Sequence, residues 1–384
     1  MATQTAVAVK PARMISVDVL RGLTIAFMIL VNNNGDESHA YWPLKHAAWN
    51  GFTPTDLVFP TFLFLVGVST VFSTAARLAQ GATKMSLFLH TLRRAIILFL
   101  FGQLVNNFPF FHLGTWRVYG VLPRIAICYL LVATFYIFSP GWRSKLATAI
   151  AALVGYWIIM RFIPVPGYGV PTHDIRILDP DGNIVAWFDR QIFSAPHLYE
   201  RTRDPEGLIS TLPSLATALF GLLTGIWLRT SRTLVEKARG IAVAGMSSVV
   251  LGAIWNTWFP INKKLWTSSY TLWAAGLSML LLAFFIWLVD VRRKPGDKPA
   301  VWTTPLLVFG TNSIFAYVLS ELLSGAIYSF PIRPGVFITT AAYSAALHAL
   351  NNPALVSLLY SLAFVAVCWL PTSVLYRRRI FLKI

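Results

Sequence analysis

The amino-acid sequence predicts an all-α fold, a polytopic transmembrane helix bundle. The chain of 384 residues is 56% hydrophobic, and its mean hydropathy is +0.62. Only 12% of its residues are charged, which is about half the share found in a typical soluble domain. Because apolar runs recur along nearly the whole length, we expect a single integral membrane domain over residues 14–384 rather than several soluble domains.

About ten of these runs are long enough for a spanning helix of roughly 17–25 residues. In chain order they are 14–33, 55–77, 91–108, 118–138, 146–163, 211–229, 240–260, 269–291, 304–328 and 353–376. The moderately apolar segment 333–350 leaves an eleventh or re-entrant element as the alternative. An eleventh full span would move Arg377–Arg379 away from the other basic clusters, so ten spans are preferred.

Basic residues cluster between the apolar runs and after the last one, as at Arg292–Lys294 and Arg377–Arg379. The formal net charge of +17 would also suit a nucleic-acid-binding protein, but clusters between apolar runs are the pattern that orients helices in a bilayer. Nucleic acid is therefore not expected as a partner, whereas the lipid bilayer is. The asymmetry of Lys and Arg favours both termini in the cytoplasm, with residues 1–13 as a cytoplasmic N-terminal tail.

Residues 164–210 form the one sizeable polar segment, rich in turn sequences such as DPDGN and DPEG. We expect a compact extracytoplasmic loop or a short hairpin that covers the helix bundle. The two cysteines, Cys128 and Cys368, lie inside apolar runs and are interpreted as packing residues, so neither a disulfide nor a metal site is predicted.

The stretch Tyr41–Pro60, YWPLKHAAWNGFTPTDLVFP, places polar and aromatic residues between two apolar runs. A neutral imidazole at His46 can take or pass a proton near neutral pH, or attack an activated carbonyl. The structural alternative is an interfacial histidine beside aromatic anchors. Asn50, four residues later, would share the face of His46 if this part of the loop is helical.

Asp56 has two interpretations. It could orient the His46 imidazole, as a carboxylate does in a catalytic dyad. The sequence Thr53-Pro54-Thr55-Asp56 also fits a helix start in which Asp56 closes a capping box, and this is the better prediction for Asp56 alone. Both roles coexist if one carboxylate oxygen faces the backbone and the other faces His46.

Further candidates for chemistry lie at the ends of the spans or inside them. Asn32 and Asn33 could hold a reacting carbonyl or a sugar hydroxyl, or they simply end the first helix before Gly35. Arg124 and Glu321 fall well inside spans, where an ionisable group is a functional hypothesis by default; the structural alternative is that they pair with each other.

Three more charged residues lie in the polar loops. Lys263 and Lys264, in PINKKLW, could bind an anion such as a phosphate or could extend to the membrane interface. Glu206 lies in a turn-like DPEG sequence where the long loop rejoins the sixth predicted helix.

Six segments carry a more specific pattern: SVDVLRGLTIAFMILVNN, YWPLKHAAWNGFTPTDLVFPTFLFLVGVS, GVLPRIAICYLL, DPEGLISTLPSLATALFG, PINKKLWTSSYTLWAAG and FGTNSIFAY. Together, in this order and along nearly the whole chain, they resemble the heparan-α-glucosaminide N-acetyltransferase family, including its shorter bacterial relatives of the NagX type. The resemblance implies acetyl transfer from acetyl-CoA to the amine of a hexosamine by a multi-span enzyme. It also implies that His46, within KHAAWN, is the active-site histidine.

The resemblance further implies a bacterial inner-membrane location, and a homodimer is a family-level expectation. Because the chain is compact beside the animal lysosomal enzymes, a free amino sugar or a cell-wall fragment is expected as the acceptor rather than heparan sulfate. His46, Asp56 and Asn50 are then catalytic candidates, and Asn32, Asn33, Glu206 and Glu321 are oxyanion or substrate candidates. For acetyl-CoA the candidates are Arg124, Lys263 and Lys264.

With His46 on the extracytoplasmic side, the acetyl group must cross much of a hydrocarbon layer of roughly 30 Å. A pantetheine arm threading between helices would allow this. His46 then acts either as acyl acceptor or as general base, and the sequence leaves both routes open. Two other functions also remain open: an amino-sugar transporter and an envelope polysaccharide O-acyltransferase.

Overall fold

The computed structural model describes residues 14–139, 141–294 and 296–382, and these are mostly helical. The predicted N-terminal tail, residues 1–13, lies outside the described residues. The helices are α1 (Ile15–Asn32), α2 (Val58–Leu78), α3 (Lys84–Asn107), α4 (Val121–Phe138), α5 (Trp142–Phe162), α6 (Ile184–Ile192), α7 (Thr211–Leu228), α8 (Leu234–Trp255), α9 (Ser268–Phe285), α10 (Thr304–Thr311), α11 (Ser313–Ser329), α12 (Ile338–Leu350) and α13 (Pro353–Arg377).

Nine helical segments in the described part of the chain are long and apolar enough to cross a membrane, and the bent pair α10–α11 makes a tenth. The predicted all-α, multi-span fold is thus confirmed. The helices α3, α5 and α8 begin four to seven residues before the predicted apolar runs because their first turns carry polar and basic residues such as Lys84. Long basic side chains at helix ends reach the interface while the backbone stays helical.

The bend between α10 and α11 measures 72° and falls at Asn312, inside the predicted span 304–328. The Asn312 side chain donates to the carbonyl of Ile380 at 3.2 Å and accepts from the amide of Leu382 at 3.0 Å. The break therefore holds the C-terminal segment. The predicted segment 333–350 begins within a two-stranded hairpin, β1 (Pro331–Arg333) and β2 (Val336–Phe337), and continues as α12, whose 13 residues are too few to span a bilayer.

Glycine pairs allow the central helices to cross closely. A Cβ on Gly67 of α2 would clash with the carbonyl of Ala218 in α7, and one on Gly221 would clash with the carbonyl of Phe64. Gly22 of α1 and Gly310 of α10 make a similar crossing. Small residues at such crossings let backbones meet where lipid offers no hydrophobic driving force. They fix α1, α2 and α7, whose ends carry the candidate site.

The predicted loop 164–210 is a compact structure that contains α6 rather than a hairpin. Its apolar side chains Leu178, Ile184 and Val185 pack with Tyr156 of α5 and Phe259 before α9 in one buried cluster. The segment is therefore anchored on the helix ends beside the 260–266 loop.

Candidate active site

The Tyr41–Pro60 loop is joined to the 260–266 loop by hydrogen bonds. The amide of Gly51 donates to the carbonyl of Ile261 at 2.9 Å, and the Asn262 side chain donates to Asn50 Oδ1 at 3.1 Å. Gly51 has φ of +112°, which favours glycine, so the loop can turn sharply at this contact. The region around Asn50 is bent rather than helical, so Asn50 joins the two loops instead of sharing a helical face with His46.

Asp56 serves both roles that the sequence proposed for it. Its Oδ2 accepts hydrogen bonds from the backbone amides of Thr53, at 3.0 Å, and Ala47, at 3.1 Å, which caps the turn Pro54–Leu57 that leads into α2. Its Oδ1 lies 2.8 Å from His46 Nδ1. The Asp56 side chain is 1% exposed and that of His46 is 39% exposed. The buried carboxylate therefore orients the ring, while the ring itself remains open to solvent.

Lys263 completes a three-residue cluster with this pair. Its Nζ lies 2.9 Å from His46 Nδ1, 3.4 Å from His46 Nε2 and 3.5 Å from Asp56 Oδ1. Burial lowers the pKa of Lys263, and the nearby charges of Asp56 and Glu206 oppose that effect. Because one ring nitrogen either donates or accepts, the contacts of Nδ1 with Asp56 and with Lys263 cannot both be full hydrogen bonds.

The DPEG turn, residues 204–207, is held by Arg117. The Arg117 guanidinium donates to both Asp204 oxygens at 2.8 Å and to Glu206 at 2.6 Å. Burial lowers the pKa of Arg117, but the Asp204 hydrogen bonds and the Glu206 charge outweigh it and raise the pKa above its usual range. Arg117 is therefore a permanent cation whose charge is balanced by this turn.

These elements enclose a cavity of about 400 Å³, which we call the His46 cavity. Among the predicted site residues, it brings together Asn32, His46, Asp56, Glu206, Lys263 and Lys264. Other lining side chains are Glu37, Arg117, Tyr199, Glu200 and Trp266. Lys264 pairs with Glu200 at 2.9 Å. The cavity wall therefore carries ion pairs of both charges rather than charges of a single sign.

The remaining predicted site residues lie around this cavity rather than on its wall. Glu321 hydrogen-bonds to Asn32 from α11. Asn33 is buried, and its amide donates to the carbonyl of Ile29 at 2.8 Å. Arg124 is 1% exposed, and its guanidinium donates to the Gly207 carbonyl at 2.9 Å and to the Ser210 hydroxyl. It therefore contacts the DPEG turn rather than Glu321.

Sequence reasoning missed a second polar cavity, of about 530 Å³, near the other ends of α1 and α2. Its basic lining consists of Arg21, Arg77, His90 and Arg94, and we call it the arginine cavity. Arg21 is held by Asp18 at 2.8 Å, as its spacing predicts, whereas Arg94 Nε is buried without a hydrogen-bond partner among the described residues. The sequence did contain a signal for this cavity, because Arg94 is a charged residue inside the predicted apolar run 91–108.

A narrow apolar slot lies between the two cavities. Met28, Phe59 and Val121 line both the slot and the His46 cavity, while Phe62, Leu122, Ile125 and Ile314 line both the slot and the arginine cavity; Tyr317 completes it. The open volume is only about 10 Å³, enough for a single water. The shared residues place the slot between the two cavities.

Comparison with known proteins agrees with the resemblance seen in the motifs. A family model described as "Heparan-alpha-glucosaminide N-acetyltransferase, catalytic" matches residues 13–257. Heparan-alpha-glucosaminide N-acetyltransferases of Homo sapiens and Mus musculus are 29% and 30% identical to this chain over 81% of its length. The matches cover 53% and 54% of those proteins, so the chain spans about half the length of the curated relatives it matches. The family model covers more than half of the chain, and the chain belongs to the heparan-α-glucosaminide N-acetyltransferase family.

Proposed function

We propose that this chain is a transmembrane acetyltransferase that moves the acetyl group of acetyl-CoA to the amine of a hexosamine, such as glucosamine or a cell-wall amino sugar. The observation that carries the proposal is the 2.8 Å contact between His46 Nδ1 and a buried Asp56 oxygen on the wall of a 400 Å³ cavity. Family membership supports the reaction class.

His46 has the geometry of a nucleophile or a base. When Nδ1–H donates to Asp56, Nε2 keeps its lone pair. In a two-step route, Nε2 attacks the acetyl carbonyl, the carbon–sulfur bond breaks and CoA leaves as a thiolate; the amine then attacks the acetyl-imidazolium, the bond from the acetyl carbon to Nε2 breaks, and the amine proton passes to the thiolate. In a direct route, the amine attacks the thioester while Nε2 accepts its proton, the carbon–sulfur bond breaks, and the proton passes from Nε2 to the leaving thiolate. Both routes need the same tautomer.

Neighbouring polar groups have distinct proposed roles. The Asn32 side chain is exposed in the His46 cavity and is the candidate to donate to the developing oxyanion, with Glu321 orienting it. Glu206 and Lys264 are candidates for the acceptor sugar. Asn33, Asn50 and Arg124 support these groups through the hydrogen bonds described above.

The arginine cavity and the slot suit acetyl-CoA as a donor that reaches His46 from the far side of the helix bundle. Arg77, Arg94 and Arg21 line the cavity and offer cationic donors to phosphate oxygens. The slot is apolar and narrow, as a passage for a slender pantetheine arm should be. The side chains that line the slot would have to move apart for the arm to pass. This assignment moves the proposed phosphate site away from Arg124, Lys263 and Lys264.

The balance of charges in the His46 cavity affects which acceptor the cavity can bind. Arg117 is neutralised by Asp204 and Glu206, Lys264 by Glu200, and Lys263 by Asp56. The exposed carboxylate of Glu37 has no ion-pair partner among the described residues. A site with this balance favours a small amino sugar carrying one positive charge over a sulfated polymer.

We also propose that the His46 cavity opens on the extracytoplasmic side of a bacterial inner membrane. The support is the clustering of Lys and Arg at the end of the bundle that holds the arginine cavity. A cysteine at the exposed position 48 tests this orientation. An impermeant thiol reagent should label it in intact cells, and labelling only after lysis would contradict the orientation.

The test of the function is acetyl transfer from acetyl-CoA to glucosamine by purified, detergent-solubilised protein. We expect His46→Ala to lower kcat by at least about 100-fold, the range typical of a lost acid–base or nucleophilic group. His39→Ala is the matched control, since His39 makes a similar 2.7 Å contact with Asp36 outside the cavity. Activity of His46→Ala near wild type, or flux of unmodified sugar into proteoliposomes without acetyl-CoA, would overturn the proposal.

A further inference from the structure

The charges around His46 differ from those of a simple histidine–carboxylate pair. A lone buried carboxylate beside an imidazole favours the imidazolium and raises its pKa. Here Lys263 Nζ lies 2.9 Å from the nitrogen that faces Asp56 and 3.5 Å from the same Asp56 oxygen. The positive charge of Lys263 therefore opposes the negative charge of Asp56 at the imidazole.

An imidazolium and an ammonium cannot both occupy these positions without strong repulsion. With the Lys263 ammonium 2.9 Å from Nδ1, a second positive charge on the ring would face it in a site where Asp56 is 1% exposed and Lys263 is 22% exposed. His46 and Lys263 therefore carry one positive charge between them rather than two.

We propose that Lys263 is a positioning residue that keeps His46 in its neutral, nucleophilic form by opposing the charge of Asp56 and excluding a second cation at the ring. Asp56 can then fix the tautomer without making His46 a stronger base. The inference rests on the proposed function, because a neutral Nε2 matters only if His46 takes the acetyl group or a proton.

Other charged groups near His46 are already paired or point elsewhere. On its own loop, the Lys45 ammonium donates to the Ser38 carbonyl. Across the cavity, Glu206 is bound by Arg117 and Glu200 by Lys264. Glu37 lines the same cavity, but only Asp56 and Lys263 contact the His46 ring nitrogens in the described chain. These two groups therefore dominate the electrostatic surroundings of the ring.

The experiment measures the pH midpoint of His46 reactivity with diethyl pyrocarbonate, which modifies the unprotonated imidazole. The purified full-length protein is labelled across a pH series, and the rate at the His46 peptide is read by mass spectrometry. We expect Lys263→Met to raise the midpoint by about one pH unit or more, since an adjacent charge shifts a pKa by about 1–3 units. Lys263→Arg should stay within about 0.3 unit of wild type because it keeps the charge.

Lys264→Met is the matched control: it removes a neighbouring positive charge that pairs with Glu200, and the His46 midpoint should not move. Lys263→Gln serves as a second neutral variant if the methionine variant does not accumulate in membranes. The acid limb of kcat/KM should follow the labelling midpoint in each variant.

An unchanged or lower midpoint in both neutral variants would overturn the inference, as would Lys263→Arg shifting like the neutral variants. Because labelling needs no turnover, it tests Lys263 even if His46→Ala keeps full activity. That result would overturn the proposed function alone.

Discussion

Asp56 uses its two carboxylate oxygens separately: Oδ1 lies 2.8 Å from His46 Nδ1, and Oδ2 accepts the amide hydrogen of Thr53 at 3.0 Å. The residue that caps the turn leading into α2 is thus also the residue that orients the imidazole. Since the cap fixes the carboxylate before any ligand arrives, the His46 ring is preorganised.

Asp56→Asn should separate these two functions. An asparagine that keeps its oxygen toward the Thr53 and Ala47 amides must turn its NH₂ toward His46, which forces Nδ1 to accept and puts the ring proton on Nε2. We expect kcat to fall on the order of 10²–10⁴-fold, while the melting temperature in detergent stays within a few degrees of wild type. Asp56→Ala should lose both activity and stability. A near-normal kcat in Asp56→Asn would show that the tautomer is unimportant.

Local sequence signals predicted much of this site. The cap spacing from Thr53 to Asp56 and the histidine ten residues before Asp56 were visible in the sequence. Hydropathy located the spans, with offsets at their ends, but it did not predict the bend at Asn312. The position of Lys263 beside His46 could not be predicted from the sequence, because it depends on the contact between Asn50 and Asn262, which are 212 residues apart in the chain. Long-range hydrogen bonds of this kind leave no periodic pattern.

The same limit explains why the role of Arg124 could not be predicted from the sequence. A buried arginine in an apolar run suggests function from sequence, and only the folded chain shows that Gly207 and Ser210 are its partners and that its guanidinium lies 5.2 Å from the centre of the Trp266 ring. We expect Arg124→Met to lower stability by about 2–3 kcal/mol, since it removes charge-assisted hydrogen bonds from buried acceptors. Thermal unfolding in detergent would measure this loss.

Molecules of Arg124→Met that remain folded should keep a wild-type KM for acetyl-CoA. An unchanged melting temperature with a raised KM would instead return Arg124 to the donor site that its sequence position first indicated.

Arg77→Gln and Arg94→Gln test the arginine cavity. Each variant removes one cation that we assign to the CoA phosphates, so each should raise the KM for acetyl-CoA by about tenfold, which corresponds to about 1.4 kcal/mol. kcat should change little because His46 is remote. Arg93→Gln is the matched control, since Arg93 is adjacent in sequence, exposed and outside the cavity lining. Equal effects of Arg93→Gln and Arg94→Gln would indicate only a general charge effect.

Blocking the apolar slot tests the route of the acetyl group. Ile125 is 3% exposed and lines both the slot and the arginine cavity, so Ile125→Trp should fill the passage and lower kcat/KM for acetyl-CoA by at least about tenfold. Leu131→Trp is the control on the same helix, because Leu131 is 48% exposed on the outer surface. Full activity of a folded Ile125→Trp would mean that the acetyl group does not pass this point.

Asp189 should make the stability of the loop that carries Glu206 depend on pH. Its side chain is buried, its Oδ1 accepts the Leu208 amide at 3.1 Å, and burial raises its pKa from 3.8 to about 7. The folded protein therefore keeps the Asp189 proton at pH values where the unfolded chain has released it. Between about pH 4 and pH 7 the folded state binds more protons, so this contribution to stability is present at low pH and is lost as the pH rises.

Asp189→Asn mimics the protonated form and should remove that dependence. Its melting temperature should match that of wild type near pH 4 and should exceed it by a growing margin, reaching a few degrees, as the pH rises to about 7, because only wild type loses stability as its unfolded chain releases the Asp189 proton. Thermal unfolding in detergent across this range measures the difference between the two proteins. A difference that stays constant with pH would mean that Asp189 does not titrate in the folded protein, and its burial would then have to be balanced by the positive charge of the nearby Arg124.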